Sequence, residues 1–340
     1  MQLPDAHGPP LSRGVIKSSF EDFSVTEILG FVPPDHGEHW FLWIEKRGAT
    51  TPWIAKRLSA LANCHVREIG YSGLKDRNAV SRQWFSLPGA TTGKLPPAIT
   101  AAGDFSVHSI SRNPKKLKRG THRGNHFRLL IRDVCVAAEQ LDARLALIAG
   151  KGVPNYFGMQ RFGRDGNNLK LAGKLFAGAG LKRSDRGFAL SAARSAIFNR
   201  IVARRIERSC WDSLIAGDHA NLDGRGSVFA VTELSDELDS RCRSGEIHPT
   251  GTLWGAEGSL ATGEAAAIER AAAAELPELK AGLAASDVRS RYRALRLIPS
   301  GIRHELNGSV LELEFSLPAG AFATTVLNEI FDIVDSSQAS

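Results

Sequence analysis

Asp76 is the residue in this sequence with the strongest case for chemistry. It stands between Lys75 and Arg77 in the stretch Gly70-Tyr71-Ser72-Gly73-Leu74-Lys75-Asp76-Arg77-Asn78-Ala79-Val80-Ser81-Arg82-Gln83. Cations on both sides favour the ionised carboxylate, and an ionised carboxylate can serve as a nucleophile or a general base. Gly70 and Gly73 predict a tight turn that lets the following side chain stand free at the mouth of a cleft. Lys75, Arg77 or the distant Lys17 could hold the charge in place. Lys17 is favoured, because neighbours in a strand or turn point apart. Other chemistries lack their signatures: there is no Walker-type phosphate loop, no Gly-x-Ser-x-Gly and no carboxylate pair at a hydrolase spacing. His36 with His39, and His122 with His126, have no cysteine or carboxylate cluster beside them at ligand spacing, so no metal site is expected. An enzyme built from this inventory works with a single activated carboxylate and no cofactor.

The composition points to the substrate class. The 340 residues suggest two domains, and 43% hydrophobic content suffices for real cores. A formal net charge of +7 and a pI near 9.4 call for an acidic partner, of which nucleic acid is the commonest. The charge is concentrated: Lys115, Lys116, Lys118, Arg119, Arg123 and Arg128 crowd Asn113 to Arg128, and Arg289, Arg291, Arg293 and Arg296 form a second cluster. Such runs suit a clamp on phosphates. Cys64, Cys135, Cys210 and Cys242 are too scattered for a disulfide framework or a Cys-x-x-Cys motif and read as reduced thiols. No secretory signal and no run of membrane-spanning length is visible, so a cytoplasmic protein is expected.

The elements that must position Asp76 are legible from periodicity. Phe23, Val25 and Glu27 alternate with Asp22, Ser24 and Thr26, a strand signal, and Trp40 to Lys46 repeats it. A helix follows, with Thr51 as its cap, Pro52 at its first position, and Ile54, Leu58 and Leu61 on one face. The aspartate loop leads to a strand around Trp84 to Leu87. Ala90 to Thr100 reads as a loop, and Phe105 to Ile110 as a short strand. The basic run feeds a further strand in which Phe127, Leu129 and Ile131 alternate with Arg128 and Arg132, leaving Phe127 free to meet a base. Val136 to Ala149 is a helix stopped by Gly150 and Gly152. After an aromatic, glycine-rich passage from Pro154 to Asn168, the chain turns helical. Ser191 caps a helix lined by Ile197, Ile201 and Val202, and Glu264 to Glu275 forms another. Pro299-Ser300-Gly301 is a return linker. Leu311, Leu313 and Phe315 then mark a strand, and Val326, Leu327, Ile330 and Phe331 a terminal helix. The first dozen residues read as a loose tail. Strands at both ends with helices between them are the pattern of an insertion.

The Asp76 stretch, with Gln83, resembles the first motif of the tRNA pseudouridine synthase D family. Further segments match in order: Gly124-Asn125-His126-Phe127, Val153 to Gly163, and Leu190 to Asn199. Glu21-Asp22-Phe23 and Gly320-Ala321-Phe322-Ala323-Thr324 extend the likeness to nearly the whole chain. The resemblance implies that Asp76 is catalytic. It places Phe23, Phe127 and Phe322 at the uridine pocket, and Asn125 where an amide can read the base edge. It leaves Arg161 as a contact to the RNA backbone or a structural hinge. Leu74 and Met159 depart from the pattern without touching its chemistry.

The fold expected is α+β: a largely antiparallel sheet flanked by helices, with a mainly helical inserted domain. Residues 1–152 and 300–340 would form the catalytic domain, and residues 153–299 an insertion that binds tRNA. The reaction expected is uridine to pseudouridine at position 13 of tRNA, by a monomer that needs no membrane and no small-molecule cofactor. Two other classes stay open: a non-catalytic basic RNA-binding protein, and a carboxylate-dependent RNA glycosidase or nuclease.

Overall fold

The computed structural model describes residues 3–89, 94–224 and 226–338. The chain divides into two compact units. One comprises Leu11–Leu141, Ser300–Gly320 and Phe331–Ser340; the other comprises Met1–Pro10, Asp142–Pro299 and Ala321–Ile330. One division falls after Pro299 and another after Leu141, and the N-terminal decapeptide and residues 321–330 group with the helices.

The first unit is built on an eight-stranded sheet among the described residues. Its strands run in the order Ser300–Asn307, Val310–Pro318, Gly124–Ile131, Phe23–Ile28, Val80–Pro88, His39–Arg47 and Ser106–Asn113, and Gly70–Tyr71 pairs with Val80–Pro88. Only the pairing of Phe23–Ile28 with Val80–Pro88 is parallel. The alternation of the sequence sets which face is covered. Leu311, Leu313, Phe315 and Leu317 are buried, while Glu312 and Glu314 between them are partly open. On the other flank, Leu42, Ile44, Phe85 and Leu87 pack against Ile54, Ala55 and Leu58 of the Thr51–Leu61 helix. Thr50, not Thr51, caps that helix, accepting the Trp53 N–H. Of two adjacent threonines the sequence cannot say which hydroxyl turns to the helix; here Thr51 is drawn inward instead. The expected loop from Ala90 to Thr100 lies outside the described residues over its first four positions, and Pro97–Thr100 forms a short helix.

The second unit is mainly helical. Its core joins the Arg183–Glu207 helix to Gly263–Ala274 and Pro277–Ala284, with Ala192, Ala193, Ala272 and Ala273 buried among Ile197, Phe198, Ile201 and Leu283. Ser191 is not its cap. The helix begins eight residues earlier, at Arg183 after Lys182, so Ser191 lies inside it and its hydroxyl accepts from Arg161. Beside the helices lies a four-stranded sheet ordered Val228–Ala230, His219–Leu222, Ile247–Leu253, Arg291–Ala294. These strands are short and lack clean alternation, which hid them in the sequence; of the second arginine cluster, Arg291 and Arg293 fall on the last of them.

Both chain ends depart from expectation. The terminal helix is confined to Ala323–Asn328. Phe331 instead opens the strand Phe331–Asp335, which pairs in parallel with Ser12–Ile16. Within the expected loose tail, residues 6 and 7 are tied down, since the Glu329 carboxylate accepts the Ala6 and His7 N–H groups. Those partners are more than 300 positions apart, beyond any local signal.

Candidate active site

The site begins with two neighbouring strands. Their register sets Phe23 opposite Leu129, Val25 opposite Phe127 and Glu27 opposite Asn125, so period-two geometry puts one set of side chains on a common face. Glu27 and Asn125 are buried polar groups on that face. Such groups require partners, and the aspartate loop supplies them. Ser72 Oγ donates to Glu27 Oε2 at 2.6 Å. Lys75 Nζ donates to Asn125 Oδ1 at 2.6 Å and lies 3.1 Å from Glu27 Oε2. The loop backbone is clipped as well. Thr51 Oγ1 accepts the Lys75 N–H at 2.9 Å and donates to Gln83 Oε1 at 2.8 Å, and the Gln83 amide donates to the Gly73 carbonyl at 3.2 Å. Lys46 Nζ donates to the carbonyl of Asp76 itself at 3.1 Å and to that of Ala49 at 2.6 Å.

Held in this way, Asp76 keeps a side chain that is 27% exposed. Its Oδ2 accepts from Lys17 Nζ at 2.7 Å, and its Oδ1 accepts the Asn78 N–H at 3.3 Å. Lys17 also reaches Asp335 Oδ2 at 3.1 Å and sits 4.8 Å from the centre of the Phe23 ring. Burial by itself would raise the Asp76 pKa. The charge and hydrogen bond of Lys17, with the Asn78 and Arg77 N–H groups, outweigh it and hold the carboxyl below its ordinary value. Lys17 responds in kind: burial opposes its charge, but Asp76 and Asp335 raise its pKa. Lys75 is depressed by burial, with Glu27 opposing. Burial likewise brings Lys46 down to about 8, against the pull of Asp76.

The structure thus brings Asp76 and Lys17 together and turns Lys75 inward to Glu27 and Asn125, while Arg77 is exposed. The glycines act differently from the expected turn. Neither has a positive φ; a Cβ on Gly70 would lie 2.3 Å from Ser86 Oγ and 2.4 Å from the Leu117 carbonyl, so it is close approach that requires glycine there. Phe127 is covered, at 6% exposure, between Phe23 at 6.2 Å and Phe315 at 5.6 Å. The strand alternation that buries Leu129 and Ile131 buries it too. Phe322 and Arg161 belong to the helical unit. Phe322 packs on that unit's core, and Arg161 donates to Ser191. In the basic run, Arg128 pairs with Glu312, whereas Lys115, Lys118 and Arg123 are exposed.

Sequence reasoning missed the supports: Lys46, Thr51 as a loop clip, Glu27 as a charge partner, and Asp335. Glu27 carried a signal, being an acid on the apolar side of an alternating strand. The others carried none.

The chain matches the family model described as tRNA pseudouridine synthase D (TruD) over residues 8–184 and 179–330. It is 43% identical over 335 residues to the tRNA pseudouridine synthase D of Methylococcus capsulatus, covering 97% of this chain and 94% of the relative. To that of Chromohalobacter salexigens it is 42% identical over 332 residues, covering 96% and 95%. A crystal structure from Methanosarcina mazei, described as a candidate tRNA pseudouridine synthase D, shares the fold with a TM-score of 0.75 at 22% identity, covering 99% of this chain and 100% of that one.

Proposed function

The chain belongs to the tRNA pseudouridine synthase D family, and on that premise we propose that it rearranges a uridine of folded tRNA, the one at position 13, with the Asp76 carboxylate as the reacting group. Its reaction is the isomerisation of uridine to pseudouridine in tRNA. The observation that carries the assignment to Asp76 is its pairing with Lys17 at 2.7 Å on a loop clipped from beneath, which keeps an accessible carboxylate ionised.

The chemistry balances without a co-reactant. The bond from uracil N1 to ribose C1′ breaks, the base turns, a bond from C5 to C1′ forms, C5 loses its proton to water and N1 gains one. An ionised Asp76 can begin this in two ways, by attack at C1′ or by taking the C2′ proton to give a glycal. Either demands that the nucleotide leave its stack, because a paired base in an RNA helix is out of reach. Phe23, packed against Phe127 and with its ring centre 4.8 Å from Lys17 Nζ, is proposed as the ring nearest the base. Asn125 is proposed to read the base edge. Its Oδ1 faces the Lys75 ammonium, which can only donate, so Nδ2 is the amide atom left to donate to a uracil carbonyl. The helical unit is proposed to bind tRNA.

The test uses tRNA tritiated at uracil C5. Release of tritium to water from intact tRNA, abolished by Asp76→Ala, is the expected result. Free uracil or strand breaks would identify a glycosidase or nuclease, and binding without release a non-catalytic RNA-binding protein.

A further inference from the structure

Several arginines of the helical unit have their charge met by protein. Arg205 pairs with Asp218, Arg200 and Arg204 share Glu275, and Arg194 donates to three backbone carbonyls. Arg161 and Arg293 do not fit this pattern. Both guanidiniums lie against the ring of Phe157, with Cζ 4.9 Å and 4.1 Å from its centre. Arg161 Nη1 donates to Ser191 Oγ at 3.0 Å, and Arg293 Nη2 to Asn155 Oδ1 at 2.6 Å, both neutral acceptors. Among the described residues neither has a carboxylate partner, and each Nε is buried without an acceptor. Burial lowers the pKa of both, bringing Arg293 to about 10 with the Arg161 charge adding to the effect. Two like charges, partly stripped of water and set against one aromatic ring, lack a carboxylate among the described residues that would balance them.

We propose that Arg161 and Arg293 form an anion subsite that takes a phosphodiester group of the RNA backbone. The remaining donors suit it. Arg161 Nη2 and Arg293 Nη1 donate to no protein acceptor among the described residues. Two planar guanidiniums presenting N–H groups match the oxygens of a phosphate, and Phe157 keeps them in place through its π face. Resemblance alone left Arg161 as either a backbone contact or a hinge; the geometry supplies its partner, Arg293, from a strand more than 100 positions away. That the phosphate belongs to tRNA rests on the function proposed above. That the site takes phosphate does not.

The experiment uses the full chain and Arg161→Gln. In chloride buffer the variant should unfold at the same temperature as the wild type or higher, because a repulsion has been removed. Inorganic phosphate at constant ionic strength should raise the wild-type Tm and leave that of Arg161→Gln unmoved, whereas Arg161→Lys should keep the response. With tRNA, Arg161→Gln should raise KM more than it lowers kcat, and the slope of log affinity against log salt should become shallower by about 0.7–0.9, one phosphate's worth. A lower Tm with no phosphate response in the wild type would make the pair a structural stitch and overturn the proposal. So would a phosphate response with an unchanged tRNA slope, which would mean an adventitious ion only. If wild-type protein released no tritium, the synthase reading would fall while the phosphate and salt arms still judged the subsite.

Discussion

Asp76 works under two opposed influences, and the balance between them sets its pH dependence. Burial favours the neutral acid; Lys17 at 2.7 Å and two backbone N–H groups favour the carboxylate, and they win. A carboxyl with a depressed folded value contributes stability, and on the role proposed for Asp76 competence, that is present above its unfolded value and lost as pH falls through the folded one. Wild-type kcat/KM should therefore show no acid limb from Asp76 until below the ordinary carboxylate range. Lys17→Met removes the main opposition to burial, so the limb should move to higher pH. Rate profiles of the two proteins check this, and coincident limbs would mean that Lys17 does not set the ionisation. Asp76→Asn preserves size and shape while removing the charge, and tritium release should drop by about 10²–10⁴-fold. Lys17 was legible in the sequence only by an argument against its rivals. It lies 59 positions from Asp76 and adopts a φ of 59°, a conformation that no local pattern announces. The inward turn of Lys75 was illegible for the same reason, since its partners come from strands distant in sequence.

The Gly70 to Gln83 segment is an element defined by its clips more than by its own conformation. Lys46, Thr51, Gln83 and Glu27 each hold one point of it, and the strands carrying Lys46, Gln83 and Glu27 are those whose alternation could be read from sequence. Strand positions were thus recoverable; which buried polar residues they would aim at the loop was not. Lys46 provides a test. Its folded value near 8 lies below the ordinary lysine value of 10.5, so the unfolded chain binds more protons between those limits. Stability should rise with pH across that window as the cost of a buried charge disappears. Lys46→Met should weaken this rise, and it should cost about 1–3 kcal/mol at neutral pH by leaving the Ala49 and Asp76 carbonyls unmatched. Urea unfolding at pH 8 and 10 distinguishes the two proteins. Gly70→Ala tests the close approach at the start of the loop. Ser86 and Leu117 would have to give way, at about 1–3 kcal/mol, with a larger loss of tritium release than of fold if Asp76 is displaced.

At the scale of the molecule, composition predicts a helical segment between two strand-rich ends, but contact, not composition, assigns each piece of chain to its unit. Met1–Pro10 and Ala321–Ile330 join the helical unit through a few long-range bonds. Glu329 is central to them. It is buried, its carboxylate accepts from Ala6 and His7, its carbonyl accepts from Arg144, and Arg144 also donates to the Pro9 carbonyl at 3.0 Å. Burial raises the Glu329 pKa to about 7, the Ala6 and His7 N–H groups opposing. For a group raised in the folded state, stability is full below the unfolded value near 4.5 and is lost as pH climbs through the folded one. The N-terminal attachment should therefore loosen between pH 5 and about 8. Trp211 offers a local reporter, because the His7 ring meets it edge-on at 5.7 Å. Its fluorescence, isolated by comparison with Trp211→Phe, should change across that interval in the wild type. In Glu329→Gln the amide stays neutral at every pH and its oxygen can still accept from Ala6 and His7, so that pH response should flatten. A variant as pH-sensitive as the wild type would place the titration on another group, with His7 the first to examine, since burial lowers its pKa and its Nε2 lies 2.7 Å from the Gly152 carbonyl.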